Sequence, residues 1–141
     1  MERKATAVWQ GGLKDGNGTL TTESKVLSNT PYSYSTRFEA SPGTNPEELL
    51  GAAHAGCFTM ALSAQLAELG IKSERIETKT TITFEKLDTG FTITRSHLDV
   101  SVRAPRAERA RFEQAAEKAK TGCPMSKVLR AEISMDARLV D

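Results

Sequence analysis

The stretch Thr44 to Gly70 reads TNPEELLGAAHAGCFTMALSAQLAELG, and it constrains everything around it. It predicts one long helix. Asn45 is a preferred cap, Pro46 suits the first helical position, and Glu48 stands three residues after Asn45 as in a capping box. Glu47 and Glu48 also suit the positive end of the helix dipole. Gly70 can end the helix in a left-handed conformation. Between these marks the apolar residues form no narrow stripe but cover most of the circumference, so the helix should be buried on most sides. Gly51 and Gly56 each cost about 1 kcal/mol of helix propensity against Ala, and close approach of another backbone is the simplest compensation. His54, Ser63, Gln65 and Glu68 interrupt the run, which argues against a membrane span.

The rest of the sequence is too thin to bury such a helix alone. Hydrophobic residues make up 38 % of 141 positions, low enough that a second subunit is expected to complete the core. The length suits a single domain, 1–141. A formal net charge of +1 with scattered Lys and Arg gives no reason to expect a nucleic-acid partner. The N-terminus MERKATAVWQGG lacks the apolar segment of a secretory signal, so a cytoplasmic protein is expected. With two cysteines in that setting, a permanent structural disulfide is not expected.

In chain order, Ala5 to Gln10 predicts a strand, GGLKDGNG a turn-rich connection, and Thr19 to Val26 a second strand. Alternation over Tyr32 to Ala40 predicts a third, with Arg37 on its polar face. After the central helix, Thr78 to Leu87 and Phe91 to Arg103 predict a hairpin about Asp88-Thr89-Gly90. The apolar phase of the second of these strands changes, from Phe91 and Ile93 to Leu98, Val100 and Val102. One extra residue flips a strand's faces, so a bulge is expected between Arg95 and His97. Arg106 to Lys120 predicts a polar helix stopped by Gly122. Pro124 makes Cys123 the cap of a short helix ending near Leu129. Alternation from Ala131 to Leu139 predicts the last strand. The order βββ-α-ββ-αα-β is that of an α+β domain.

Four chemistries fit these residues. A thiol peroxidase needs one thiolate to attack a peroxide and a second thiol to condense with the resulting sulfenic acid. A cysteine hydrolase or acyltransferase would use His54 as base to Cys57, three residues apart on one helix. A zinc site would draw on His54, Cys57, Cys123 and His97, although no CxxC-type pair is present. The fourth is a non-catalytic dimeric domain that binds a small molecule. Spacing alone does not choose among them.

Three segments together do choose: TRFE at Thr36–Glu39, TNPEELLGAAHAGCF at Thr44–Phe58, and GCPMSKVLRAEI at Gly122–Ile133. They closely resemble the family of osmotically inducible protein C and the organic hydroperoxide resistance proteins. The Ala-His-Ala-Gly-Cys run and the Arg of TRFE look more like the osmotically inducible branch. The resemblance implies an intertwined homodimer of α+β subunits around a long buried central helix. It implies reduction of hydroperoxides, organic ones preferentially, without haem, metal or flavin. Cys57 maps to the peroxidatic cysteine, Cys123 to the resolving one, and Arg37 and Glu47 to the pair that positions the thiolate. Electrons are then expected from a dithiol, in this family a lipoylated protein. The physical reading alone favours Cys123 as the activated thiol, since it caps a helix; the resemblance assigns attack to Cys57.

That assignment carries a geometric demand. Glu47 and Cys57 are ten residues apart, about 15 Å along a helix and on different faces. Either the helix breaks at Gly51 or Gly56, or Glu47 serves the Cys57 of a second subunit. The small residues of the helix favour the second subunit.

Overall fold

A computed structural model describes all 141 residues as two compact units, Met1–Leu49 and Leu50–Asp141. In the first, β1 (Ala5–Gln10), β2 (Asn17–Thr22) and β3 (Thr30–Tyr32) form an antiparallel sheet in that order. Its register sets Gly18 opposite both Trp9 and Tyr32. A Cβ at Gly18 would come within 2.6 Å of each ring, so only glycine lets the two rings meet, at 5.4 Å between centroids. β2 stops at Thr22, short of the expected Val26. There the chain turns back through a Thr22–Leu27 bond and a left-handed Lys25.

The third strand expected over Tyr32 to Ala40 ends at Tyr32, and a helical turn, α1 (Tyr34–Phe38), takes its place. The reason is local. The Thr36 backbone N–H donates to Ser33 Oγ, and the Ser33 N–H donates to Thr36 Oγ1 at 2.9 Å. This reciprocal cap satisfies two backbone donors at the start of the turn. Asn45 then ties α1 to the next helix: its Nδ2 donates to Thr36 O, and its Oδ1 accepts from the Glu48 N–H at 2.8 Å. The Glu48 carboxylate accepts from Thr44 Oγ1 rather than closing the cap on Asn45.

The next helix, α2 (Pro46–Glu68), is unbroken through Gly51 and Gly56. Gly70, at φ +69°, ends it as expected. α2 contributes one face to the second unit: Gly51, His54, Phe58, Leu62 and Leu66 are buried at helical spacing. At Gly51 the close approach is real, since a Cβ there would lie 3.4 Å from Ile82 Cγ1. Ala52, Ala53, Gly56, Met60, Ala64 and Ala67 stay exposed within one chain. At Gly56 a Cβ would meet nothing within 4 Å. By length and composition α2 is apolar enough to cross a membrane, a test that the core helix of a soluble protein also passes.

β4 (Arg75–Leu87) and β5 (Gly90–Arg103) pair antiparallel, and β6 (Glu132–Val140) lies parallel to β5, giving the order β4-β5-β6. The bulge exists, two residues earlier than expected. Thr83 pairs Arg95 and Phe84 pairs Ile93, which leaves Thr94 as the extra residue. It turns Ser96, Leu98, Val100 and Val102 inward. α3 (Arg109–Gly122) begins three residues later than expected, because Arg106 sits at φ +74°. Its Phe112, Ala115, Ala116 and Ala119 join Phe58, Leu62, Leu66, Leu98, Val100 and Val102 in one core cluster. Each large side chain buried there contributes about 1.5–3 kcal/mol. α4 (Pro124–Val128) follows at once, with Cys123 as both the last cap of α3 and the first cap of α4. The added α1 extends the expected element order, and the class is α+β with two small sheets.

Candidate functional site

Cys57 and Cys123 come together. Their sulfur atoms are 2.9 Å apart and both thiols are free. Cys57 is half-buried on α2; Cys123 is fully buried. Cys123 is placed by its double role, since its N–H closes α3 onto Ala119 O and its carbonyl opens α4 by accepting from the Lys127 N–H. Cys57 does not ionise readily in this setting. Burial first, and the Cys123 thiol second, push it above the usual thiol range, while the Met125 backbone N–H pulls it down. None of these influences within Leu50–Asp141 is a cation.

His54 is fully buried one turn before Cys57. Its Nδ1 lies 2.6 Å from Ser96 Oγ on β5 and its Nε2 lies 2.8 Å from Ser126 Oγ on α4. A neutral imidazole donates from one nitrogen and accepts at the other, and a hydroxyl can answer either. Burial holds the His54 pKa below its usual value, so the ring is neutral. Neither nitrogen is left for Cys57, so the hydrolase base and the zinc ligand considered for His54 do not form. His97 is engaged elsewhere, with Nδ1 2.7 Å from Ser134 Oγ and Nε2 3.3 Å from Asp136.

Arg37 and Glu47 also meet, inside Met1–Leu49. Arg37 Nη2 donates to Glu47 Oε1 at 2.9 Å, and Nε donates to the same oxygen at 3.2 Å. Glu47 is buried and Arg37 exposed. Arg37 was expected from its alternation to sit on the polar face of a strand. The α1 turn instead sets it opposite the first turn of α2. A pocket of about 240 Å³ beside it is lined by Trp9, Leu13, Tyr32, Tyr34, Phe38 and Arg37 itself. The four expected site residues thus form two pairs, one in each unit.

The Ser96–His54–Ser126 bridge was missed from sequence. A signal existed: His54 precedes Cys57 by three residues, and Ser126 follows Cys123 by three. The two pairs therefore repeat at the same helical interval.

The family model described as OsmC-like protein matches residues 38–138. The chain is 48 % identical over 139 residues to peroxiredoxin OsmC of Escherichia coli K12, covering 99 % of this chain and 97 % of that protein. Among solved structures, the organic hydroperoxide resistance protein OhrB of Bacillus subtilis superposes with a TM-score of 0.69 at 25 % identity, over 97 % of this chain and 98 % of that one. An OsmC-like protein from Vibrio cholerae superposes with a TM-score of 0.78 at 16 % identity, over 98 % of this chain and 99 % of that one.

Proposed function

The chain belongs to the OsmC-like protein family, and on that premise we propose that it reduces hydroperoxides through Cys57. A full-length likeness to a protein named a peroxiredoxin supports peroxidase chemistry. The observation that carries the finer reading is the 2.9 Å approach of the two free sulfurs. The Cys57 thiolate attacks a peroxide oxygen, the O–O bond breaks, and the alkoxide leaves as an alcohol after taking a proton. Cys57 is left as the sulfenic acid. The Cys123 sulfur then attacks the Cys57 sulfur, and hydroxide departs as water with the Cys123 proton. A dithiol, a lipoylated protein by family resemblance, returns the disulfide to two thiols in the cytoplasm.

The active unit of this proposal is a homodimer. Cys57 sits in surroundings that disfavour its thiolate, so it requires a cation. The unbroken α2 keeps Glu47 about three helical turns from Cys57. We therefore assign the partner subunit's Arg37, steadied by the partner subunit's Glu47, to the thiolate. The exposed small residues of α2 provide a flank against which a second copy can pack closely. The aromatic pocket beside Arg37 suits the alkyl part of an organic hydroperoxide, which favours such substrates over hydrogen peroxide.

Peroxide consumption with a dithiol reductant tests this reading. Cys57→Ser is expected to lose all turnover. Cys123→Ser is expected to keep the first oxidation and to accumulate sulfenic acid on Cys57. A first turnover that survives in Cys57→Ser overturns the assignment.

A further inference from the structure

Two rungs join α2 to α4. Cys57 and Cys123 form one, and His54 and Ser126 form the other, three residues away on each helix. Peroxide chemistry uses the first and leaves the second without a task. We propose that the His54–Ser126 rung, anchored by Ser96, positions the resolving thiol and so decides whether oxidised Cys57 closes to the disulfide or is oxidised further. This rests on Cys57 being the peroxidatic residue.

α4 has few fastenings of its own besides Met125, which packs against the core cluster. It spans five residues, Pro124–Val128, far below the length at which a helix holds itself in water. Ser126 is its only buried residue, and the Ser126 hydroxyl goes to His54. The backbone is extended at Leu129, and β6 begins at Glu132. At the other end His54 is held by Ser96, an inward residue of the central strand β5. The sheet thus fixes the ring, the ring fixes Ser126, and Ser126 fixes the turn that carries Cys123. The bridge is made of neutral groups, so it adds no charge beside the thiols.

The consequence is a partition. Cys57 sulfenic acid has two fates. The Cys123 sulfur displaces its oxygen as water, or a second hydroperoxide adds another oxygen, giving sulfinic acid and a second alcohol. Only the first depends on where Cys123 stands. Loosening α4 should slow closure and leave the first oxidation of Cys57 alone.

Ser126→Ala in the full-length dimer tests this, with Ser126→Thr restoring the hydroxyl. Loss of one buried hydrogen bond is expected to slow disulfide closure about tenfold, with formation of sulfenic acid at Cys57 within about twofold of the parent rate. Sulfinic acid should then build up at peroxide concentrations that the parent protein survives, and Ser126→Thr should reverse the effect. Closure at the parent rate in Ser126→Ala overturns the proposal. So does a parallel loss of both steps, which would mark the bridge as support for the fold alone. A peroxide-free arm separates this idea from the peroxidase reading. In dithiothreitol redox buffer, the equilibrium constant for the Cys57–Cys123 disulfide should fall about tenfold in Ser126→Ala. If the parent protein ignores peroxide but this shift occurs, the peroxidase reading falls and the positioning role stands.

Discussion

Arg37 lies side-on to Glu47, with Nη2 at 2.9 Å and Nε at 3.2 Å from one carboxylate oxygen. A lysine keeps the charge and loses that fork. Arg37→Lys is therefore expected to slow the first oxidation of Cys57 by about tenfold or more, and Glu47→Gln by less. Both should shift the pH midpoint of Cys57 alkylation upward. An unchanged rate constant and midpoint in Arg37→Lys would remove Arg37 from the chemistry.

Mixed dimers test which subunit supplies the pair. A Cys57→Ser chain is co-expressed with a Glu47→Ala chain and the heterodimer is purified. If Glu47 acts across the interface, one site carries both lesions and the other neither, so about half of the parent activity returns, as expected for independent sites. Activity no better than that of the Glu47→Ala homodimer would place Glu47 on the same chain as the cysteine it serves.

The two helix glycines predict opposite outcomes. A Cβ at Gly51 meets Ile82 Cγ1 at 3.4 Å, whereas one at Gly56 meets nothing within 4 Å. Gly51→Val should destabilise the subunit by about 1–3 kcal/mol through overpacking. Gly56→Ala should be neutral or stabilise the helix by up to ~1 kcal/mol, while Gly56→Leu should leave the subunit folded and break the proposed dimer. Analytical ultracentrifugation with thermal unfolding reads both. A Gly56→Leu protein that remains fully dimeric would show that the α2 flank is not the interface.

Burial holds the His54 pKa below its usual value of 6.5. The unfolded chain takes up a proton on that residue as pH falls through 6.5, and the folded chain does so only at lower pH. Stability from this group is thus complete above pH 6.5 and declines below it, by at most about 1.4 kcal/mol per pH unit. The chain has two histidines, so NMR titration can follow each ring. A His54 signal that titrates at or above 6.5 would contradict the neutral bridge.

Substrate preference should follow alkyl length. If the pocket of Trp9, Tyr32, Tyr34 and Phe38 takes the alkyl group, each buried CH₂ contributes up to ~0.8 kcal/mol, or about fourfold in kcat/KM. A series from hydrogen peroxide through short to longer alkyl hydroperoxides should rise and then level off as the pocket fills. A flat series would count against the pocket.

Much of this molecule could be read from residue order, and the failures have physical causes. The limits of α2 were legible because Asn45, Pro46 and Gly70 each act locally. Tyr32 to Ala40 misled because its alternation is real. A Ser33–Thr36 cap decides between strand and turn, and it lacks the acidic residue that usually marks such a box. The bulge was legible as a change of phase but not as a position. Thr94 to His97 are all polar, so an extra residue anywhere among them gives the same pattern. The helix after Pro105 starts late because Arg106 adopts a left-handed conformation that arginine rarely takes.

The candidate site divides in the same way. Nothing in spacing could bring Cys57 and Cys123 together across sixty-six residues; family resemblance did so. The same resemblance paired Arg37 with Glu47, although the strand assumed for Arg37 was wrong. The serine bridge was hidden because serine is common and a buried histidine usually reads as core. Only folding shows that Ser96 and Ser126 meet the same ring.

Met60 is 77 % exposed on the flank of α2, and if the proposed dimer packs there, that exposure sets a race. A newly made subunit shows this thioether to the oxidants it is built to remove. Oxidation would convert an apolar side chain into a polar sulfoxide on the flank where, in the proposed dimer, a second copy packs. Under heavy peroxide stress the pool of competent enzyme would then depend on how quickly nascent subunits find one another, and chains that lose the race would stay unpaired until a sulfoxide reductase repaired them.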